Sequence, residues 1–339
     1  MTAYKPSGRS MTRALWFAPP ALALAYPFLL QGFSNATGAG GGSSSGPLVA
    51  VGWLCLLLAA SIPLVALACA YALRAASDPR DGRVRARSLA YLTMMAPPLF
   101  VFIGVTRGLI GHPLSDDTVW LCLWGAAIAY VALRPPAATS TPSSRLRVVH
   151  GVTAALILLF VAFHLSNHLS GLFGPDVHGA IMKAGRTVYR QPPVEPILIG
   201  LLLFQIGTGV TLARRWSQLP GDGFRVLQIG SGIYIASFIV THLNSALISA
   251  RLVRHIETDW GWASGAPDGL IHDAWNIRLV PHYGWGVFFV LAHLLLGLRQ
   301  VLVAHAVPVH VVNRLWMAGL VACGAIALAI MAGLLGLRL

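Results

Sequence analysis

The sequence predicts an all-α fold class, a polytopic membrane helix bundle of about nine transmembrane helices. Three observations predict it. Hydrophobic residues make up 56% of the 339 positions against 10% charged, and the mean hydropathy is +0.70, a composition that excludes an ordinary soluble globular protein. The apolar residues gather in runs of about 20, the length a helix rising about 1.5 Å per residue needs to cross roughly 30 Å of hydrocarbon. Those runs are continuous and rich in Leu and Ala rather than alternating, which excludes a transmembrane β-barrel.

In chain order the spans fall at 14–33, 48–74, 89–110, 118–134, 148–172, 194–213, 226–249, 282–304 and 312–336. The first follows Lys5, Arg9 and Arg13 and precedes the Gly/Ser-rich segment 37–46, a pattern that a secretory signal shares. Its length, its interruption by Pro19, Pro20 and Pro27 and the lack of an A-x-A site favour a span, with the Gly/Ser segment as a flexible loop. Lys and Arg outnumber Asp and Glu by 24 to 11. They sit in short clusters between apolar runs, so the excess reads as membrane topology and no nucleic-acid partner is expected.

The N-terminus, the loops Arg74–Arg87, Arg134–Arg147 and Arg214–Arg225 and the turn His305–Arg314 share one side, which the positive-inside rule makes the cytoplasm. The chain is thus expected to be integral to a bacterial inner membrane, N-terminus cytoplasmic and C-terminus outside, with lipid as its first partner. Lys183, Arg186, Arg190, Arg251 and Arg254 fall on the other side. They either violate the rule or form a positively charged functional surface. A polar, Pro-rich stretch, Arg134 to Ser144, divides the chain into a four-helix N-terminal region (1–136), a linker (137–146) and a five-helix C-terminal domain (147–339) that holds nearly all the histidines.

Cys55, Cys69, Cys122 and Cys323 all lie inside apolar runs without CxxC or CxxCH pairing, so neither a disulfide framework nor c-type haem attachment is expected. Twelve histidines in so apolar a chain need a reason. A histidine inside a membrane must satisfy a polar ring, either by bonding a neighbouring helix or by ligating a cofactor. Depth distinguishes some of them. His164 lies about 24 Å from the cytoplasmic start of its span, and His242 lies about 24 Å from the start of its own. Two imidazoles at one depth on different helices suit axial ligation of a b-type haem. His168 follows His164 by one turn, on the same face. It would replace His164, bond a haem propionate or quinone carbonyl, or sit in the interface as a wetted side chain.

Gln205 and His293 both fall about 16 Å from the outer edge, a second matched level. Glutamine is a poor haem ligand, so this level reads as a hydrogen-bonded polar pair, with His293 a candidate ligand. His150 lies fourteen residues before His164, and Gln228 lies fourteen before His242, so a second, inner haem lacks an obvious partner for His150. His112, His178, His255, His272, His282, His305 and His310 fall in loops or at helix ends. Arg186, Tyr189 and Arg190 in the outer loop would satisfy propionates or quinone oxygens, or simply be solvated. Arg299 is expected to snorkel to the cytoplasmic interface.

The span RVVHGVTAALILLFVAFHLSNHL, the span VLQIGSGIYIASFIVTHLNSALISAR and the motif HLLLGLRQ resemble the membrane-anchor cytochrome b subunits of succinate dehydrogenases and fumarate reductases, in their five-helix, single-chain type. The resemblance covers about 147–337. It implies a five-helix cytochrome b-like bundle with His164 and His242 on the outer-haem ligands and His293 on an inner-haem ligand. FQIGTG places Gln205 where dihaem members carry the partner histidine, so one haem b is the expected form. In that family the anchor performs no dehydrogenase chemistry itself. It docks iron-sulfur and flavoprotein subunits on the cytoplasmic face, for which Arg145, Arg147, Arg214 and Arg215 are candidate charges, and it exchanges electrons with quinone or quinol.

The expected function is therefore membrane electron transfer between quinone and a redox partner. The competing expectation is a non-redox transporter or assembly scaffold on a repurposed bundle, which the loss of histidine at 205 and the four extra helices favour. No GxSxG nucleophile elbow occurs, since the GSSSG string at 42–46 belongs to the Gly/Ser loop, and no HExxH, Walker or dinucleotide-binding fingerprint occurs, so hydrolase and nucleotide chemistry are not expected of this chain.

Overall fold

A computed structural model describes residues 8–39, 41–42, 45–77, 82–133, 141 and 143–339. Lys5, Arg80, Arg134 and the linker residues 137–140 and 142 lie outside these, as do residues 40, 43 and 44 of the Gly/Ser segment. The described residues are all helix, turn and loop, without a strand. Among the described residues seven helices are long and apolar enough to cross a membrane: α2 (Gly46–Ala72), α5 (Asp116–Leu133), α6 (Ser144–Ser170), α8 (Val194–Trp216), α9 (Gly223–Leu243), α11 (Leu279–Ala304) and α12 (Val309–Leu334). The chain is an integral membrane helix bundle.

Two expected spans differ from simple rods. The run read as 89–110 is two helices, α3 (Gly82–Thr93) and α4 (Ala96–Ile110), bent by 55°. Pro97 and Pro98 have no N–H, so the carbonyls four residues earlier lose their helical partners and the helix breaks there. The first run forms α1 (Gly8–Thr37), 30 residues that stay helical through Pro19, Pro20 and Pro27. Neighbours compensate: Pro27 leaves the Ala23 carbonyl free, and Trp120 Nε1 donates to it at 2.8 Å. Helix α1 runs between the same two faces as the seven. A Cβ on Gly82 would collide with Trp16 near its start, while Gln31 near its end donates to Asp117 at 3.3 Å.

The loops sort by face as their charges predict. On one face Gly221 N–H bonds the Arg74 carbonyl, buried Arg87 donates to the carbonyls of Leu73, Arg74, Ala76 and Ser217, and Arg299 bonds Asn313 and covers the Phe224 ring. On the other face Leu339 N–H bonds the Leu172 carbonyl and Arg338 lies over Trp260. The outer segment 173–193, expected as a loop, is instead largely an amphipathic helix, α7 (Pro175–Tyr189). It starts with proline and Asp176 in the first turn and buries His178 and Met182. Beyond α9 the chain continues as a π-helix (Asn244–Val253), and a short helix, α10 (Trp260–Ser264), follows.

The two halves share their cores. Ala66, Ala90 and Met94 pack with Val226, Ile229, Tyr234 and Phe289, and Val101 and Val105 pack with Val287, Ala327 and Ile330. Helices α6 and α8 stand at the rim, exposing Leu156, Leu159, Ile197 and Leu203 where lipid chains take the place of protein.

Candidate functional site

Helix α6 supplies the first histidines. Ser143 caps it, its Oγ accepting from Leu146 N–H, and the helical period then places His164 and His168 one turn apart with ring centroids 4.7 Å apart, edge to face. His242, on α9, reaches across to His164 at 5.9 Å between ring centroids. The matched depth expected of His164 and His242 is thus realised as direct juxtaposition. Phe160 stacks on His164 at 5.5 Å and 18°, and Phe238 stacks on His242 at 5.9 Å and 14°, so each imidazole is braced by an aromatic ring one turn earlier on its own helix. Gly286 of α11 has no Cβ, which lets Phe238 lie against it.

Three further aromatic groups complete the cluster. His178 lies 5.5 Å from His168 and 4.8 Å from Trp260. It is 2% exposed, and its Nε2 lies 3.1 Å from Asn167 Nδ2. Burial, and next the Arg186 cation, push the His178 pKa below its ordinary value, against the opposing pull of Asp259. His178 is therefore neutral near pH 7. His282, also 2% exposed, lies 4.7 Å from Phe238. The Nδ1 atoms of His168, His178 and His282 are buried without a hydrogen-bond partner. Neither His164 nor His242 makes a hydrogen bond among the described residues.

That pattern is the test of whether the site fits a haem. A ligated imidazole nitrogen sits about 2 Å from its metal, so two imidazoles flanking one iron have ring centroids roughly 6 Å apart. The 5.9 Å between His164 and His242 matches, and their nitrogens are uncommitted. No group of three or more His, Cys, Asp or Glu among the described residues is placed to hold a bare metal ion. A planar macrocycle supplies the other four ligands itself, so the pair fits haem and not a protein-only metal centre.

A second cluster lies deeper in the bundle, and its pairing differs from the depth count. Gln205 does not bond His293. Its Nε2 lies 3.1 Å from His150 Nε2 and its Oε1 accepts from Thr153. His293 instead has its Nδ1 3.0 Å from Ser231 Oγ, and its ring lies 6.4 Å from that of His150. His150 Nδ1 in turn lies 2.9 Å from Thr208 Oγ1. Gly209 and Gly232 allow these approaches, since a Cβ on either would come within 3.1 Å of the facing imidazole. His150, expected to lack a partner, therefore faces His293 across α6 and α11.

The outer-loop residues divide. Tyr189 joins the aromatics around His164, 5.5 Å from Phe160. Arg186 donates to Glu257 at 2.9 Å and to the Thr258 carbonyl, and Arg190 reaches Thr258 Oγ1 at 3.5 Å. The arginines thus bind the 257–258 loop. Sequence reasoning counted His178 and His282 with the loop histidines and passed over Trp260, Phe160 and Phe238. The signal that could have found His178 was the four-residue spacing to Met182 on an amphipathic stretch. No family model, curated protein or solved structure matches the chain.

Proposed function

We propose that the protein is a membrane haem-b protein that passes electrons between membrane quinone and a redox partner, in a bacterial inner membrane with its N-terminus cytoplasmic. The single observation that carries this reading is the facing pair His164 and His242, 5.9 Å apart on two helices and without a hydrogen-bond partner among the described residues. Haem b, held there, supplies one-electron exchange with a quinone. The chain's own part is to hold the two imidazoles opposite one another, edge to face at 69°, to brace them with Phe160 and Phe238, and to keep water from them with Trp260 and the α7 helix. His168 is placed within a ring's width of His164 and offers a hydrogen bond to a propionate or quinone oxygen. Iron-sulfur and flavoprotein subunits on the cytoplasmic face remain the partners the family resemblance suggests.

A two-haem form is favoured by a separate observation. His150 and His293 are 6.4 Å apart, and each commits its Nδ1 to a hydroxyl, the arrangement that frees Nε2 for a metal. Gln205 would have to release His150 Nε2 for that site to fill. Haem content of the detergent-purified protein, measured after haem extraction, tests both. One equivalent lost in His164→Ala and in His242→Ala supports the single site. Two equivalents, one of them lost in His150→Ala and His293→Ala, establish the second. Haem content near zero under haem-replete expression overturns the proposal in favour of a non-redox scaffold.

A further inference from the structure

Two of the cations that break the positive-inside pattern, Arg190 and Arg251, line a shallow, open cavity of about 380 Å³ together with His255, Ile256, Glu257 and Thr258. It sits at the membrane boundary. Arg190 closes α7 four residues before the α8 span begins at Val194, and Arg251 and His255 flank the end of the Gly223–Val253 span. His255 adopts φ 53° and Ile256 N–H bonds back to the Ala250 carbonyl, so the helix ends in a left-handed cap that turns the chain across the cavity.

The charges around it do not balance. Arg251 is paired with Glu195 at 2.6 Å and Arg186 with Glu257 at 2.9 Å. Arg190 has no carboxylate within ion-pair distance among the described residues, and its buried Nε has no partner. Its pKa is lowered by burial and then by Arg186 and Arg251, against the opposing pull of Tyr189 and Glu195. Below the cavity, toward the membrane, Val194, Ile197, Leu252, Val253 and Ile256 are exposed.

We infer that this cavity binds the headgroup phosphate of an anionic phospholipid. Arg190, whose guanidinium has no carboxylate partner, presents donors suited to phosphate oxygens, with Arg251, held by Glu195, as a neighbouring positive charge, at the depth where lipid phosphates lie, and the exposed apolar side chains nearby receive the acyl chains. The site is independent of haem and gives the unbalanced outer arginines a function.

The test compares full-length wild type with Arg190→Gln, and with Lys183→Gln as an exposed cation outside the cavity. Native mass spectrometry in neutral detergent measures retention of phosphatidylglycerol and phosphatidylcholine, and thermal melting is followed with each lipid and with inorganic phosphate. The expected result is a loss of phosphatidylglycerol affinity of about tenfold in Arg190→Gln, as for a removed charge-assisted contact, none in Lys183→Gln, and little stabilisation by inorganic phosphate. Arg190→Lys, which keeps the charge but not the fork, should lie between. Unchanged lipid retention in Arg190→Gln overturns the inference. Equal Arg190-dependent stabilisation by inorganic phosphate alone overturns the lipid assignment.

Discussion

Replacing Asp116 with Asn should destabilise the bundle by about 3–5 kcal/mol, the cost of leaving a buried charge unpaired. Asp116, at the start of α5, accepts from Arg278 Nη1 at 2.7 Å through one carboxylate oxygen and from Arg107 Nε through the other. Arg278 and Asp116 are only 10% and 9% exposed in their side chains, whereas Arg107 is 33% exposed. The cost therefore falls almost wholly on the Arg278 half, and Arg107→Gln should cost no more than about 1 kcal/mol. Arg278 also lies 4.4 Å from the Phe100 ring centroid and 4.8 Å from that of Trp275, which hold it in place. At about 2–4 °C per kcal/mol for a chain of this order, Asp116→Asn should lower the melting temperature in detergent by roughly 6–20 °C. The double variant Asp116→Leu with Arg278→Met should recover much of that loss, because it removes both charges. A melting temperature within about 2 °C of wild type for Asp116→Asn, or an equal loss in Arg107→Gln, would refute the reasoning. Since Arg278 belongs to the C-terminal half and Asp116 to the N-terminal four helices, the same experiment measures how firmly the extra helices hold the histidine-bearing bundle.

Three other outcomes are expected. Gly286→Ala places a Cβ within 2.3 Å of Phe238, the ring stacked on His242, whereas Gly297→Ala on the same helix meets nothing within 4 Å; the first should lower haem content and the second leave it unchanged. Because burial and Arg186 depress the folded pKa of His178, the unfolded chain takes up this proton first, so His178 contributes stability that is present above the ordinary histidine value of about 6.5 and falls as pH drops toward the depressed value. Thermal melts at pH 5 and pH 7.5 should differ more for wild type than for His178→Gln, and an equal difference would contradict the assignment. Trp120→Phe removes the donor to the Ala23 carbonyl that Pro27 leaves free and should cost about 1–3 kcal/mol; in a Pro27→Ala background, where the backbone can satisfy that carbonyl, the cost should shrink, and additive losses in thermal melting would show that the bond is incidental.

Most of the bundle was legible because apolar length and charge sidedness are one-dimensional properties. Each expected run coincides with helix, and the basic loops at 74, 217 and 224 gather on one face. What escaped depends on local chemistry or on azimuth. The break before Pro97 was readable from the two prolines but was absorbed into one apolar run. The α7 helix is too short and too polar to register as a span, so His178 was counted with the loop residues. Depth counting identified His164 with His242 because both spans are regular up to those positions. It mispaired Gln205 with His293 because rise along the axis says nothing about which face a side chain occupies: Gln205 turns to His150 and His293 turns to Ser231. The π-helix after His242 has no signature in apolar periodicity, and it places Arg251 in the outer cavity.

The measurement that bears most directly on the central claim is a reduced-minus-oxidised visible spectrum of the detergent-purified protein, taken beside His164→Ala and His242→Ala. Sharp b-type bands in wild type that disappear in both variants, while Gly297→Ala keeps them, are the predicted result. A featureless wild-type spectrum after haem-replete expression, or bands that survive in both variants, would contradict it.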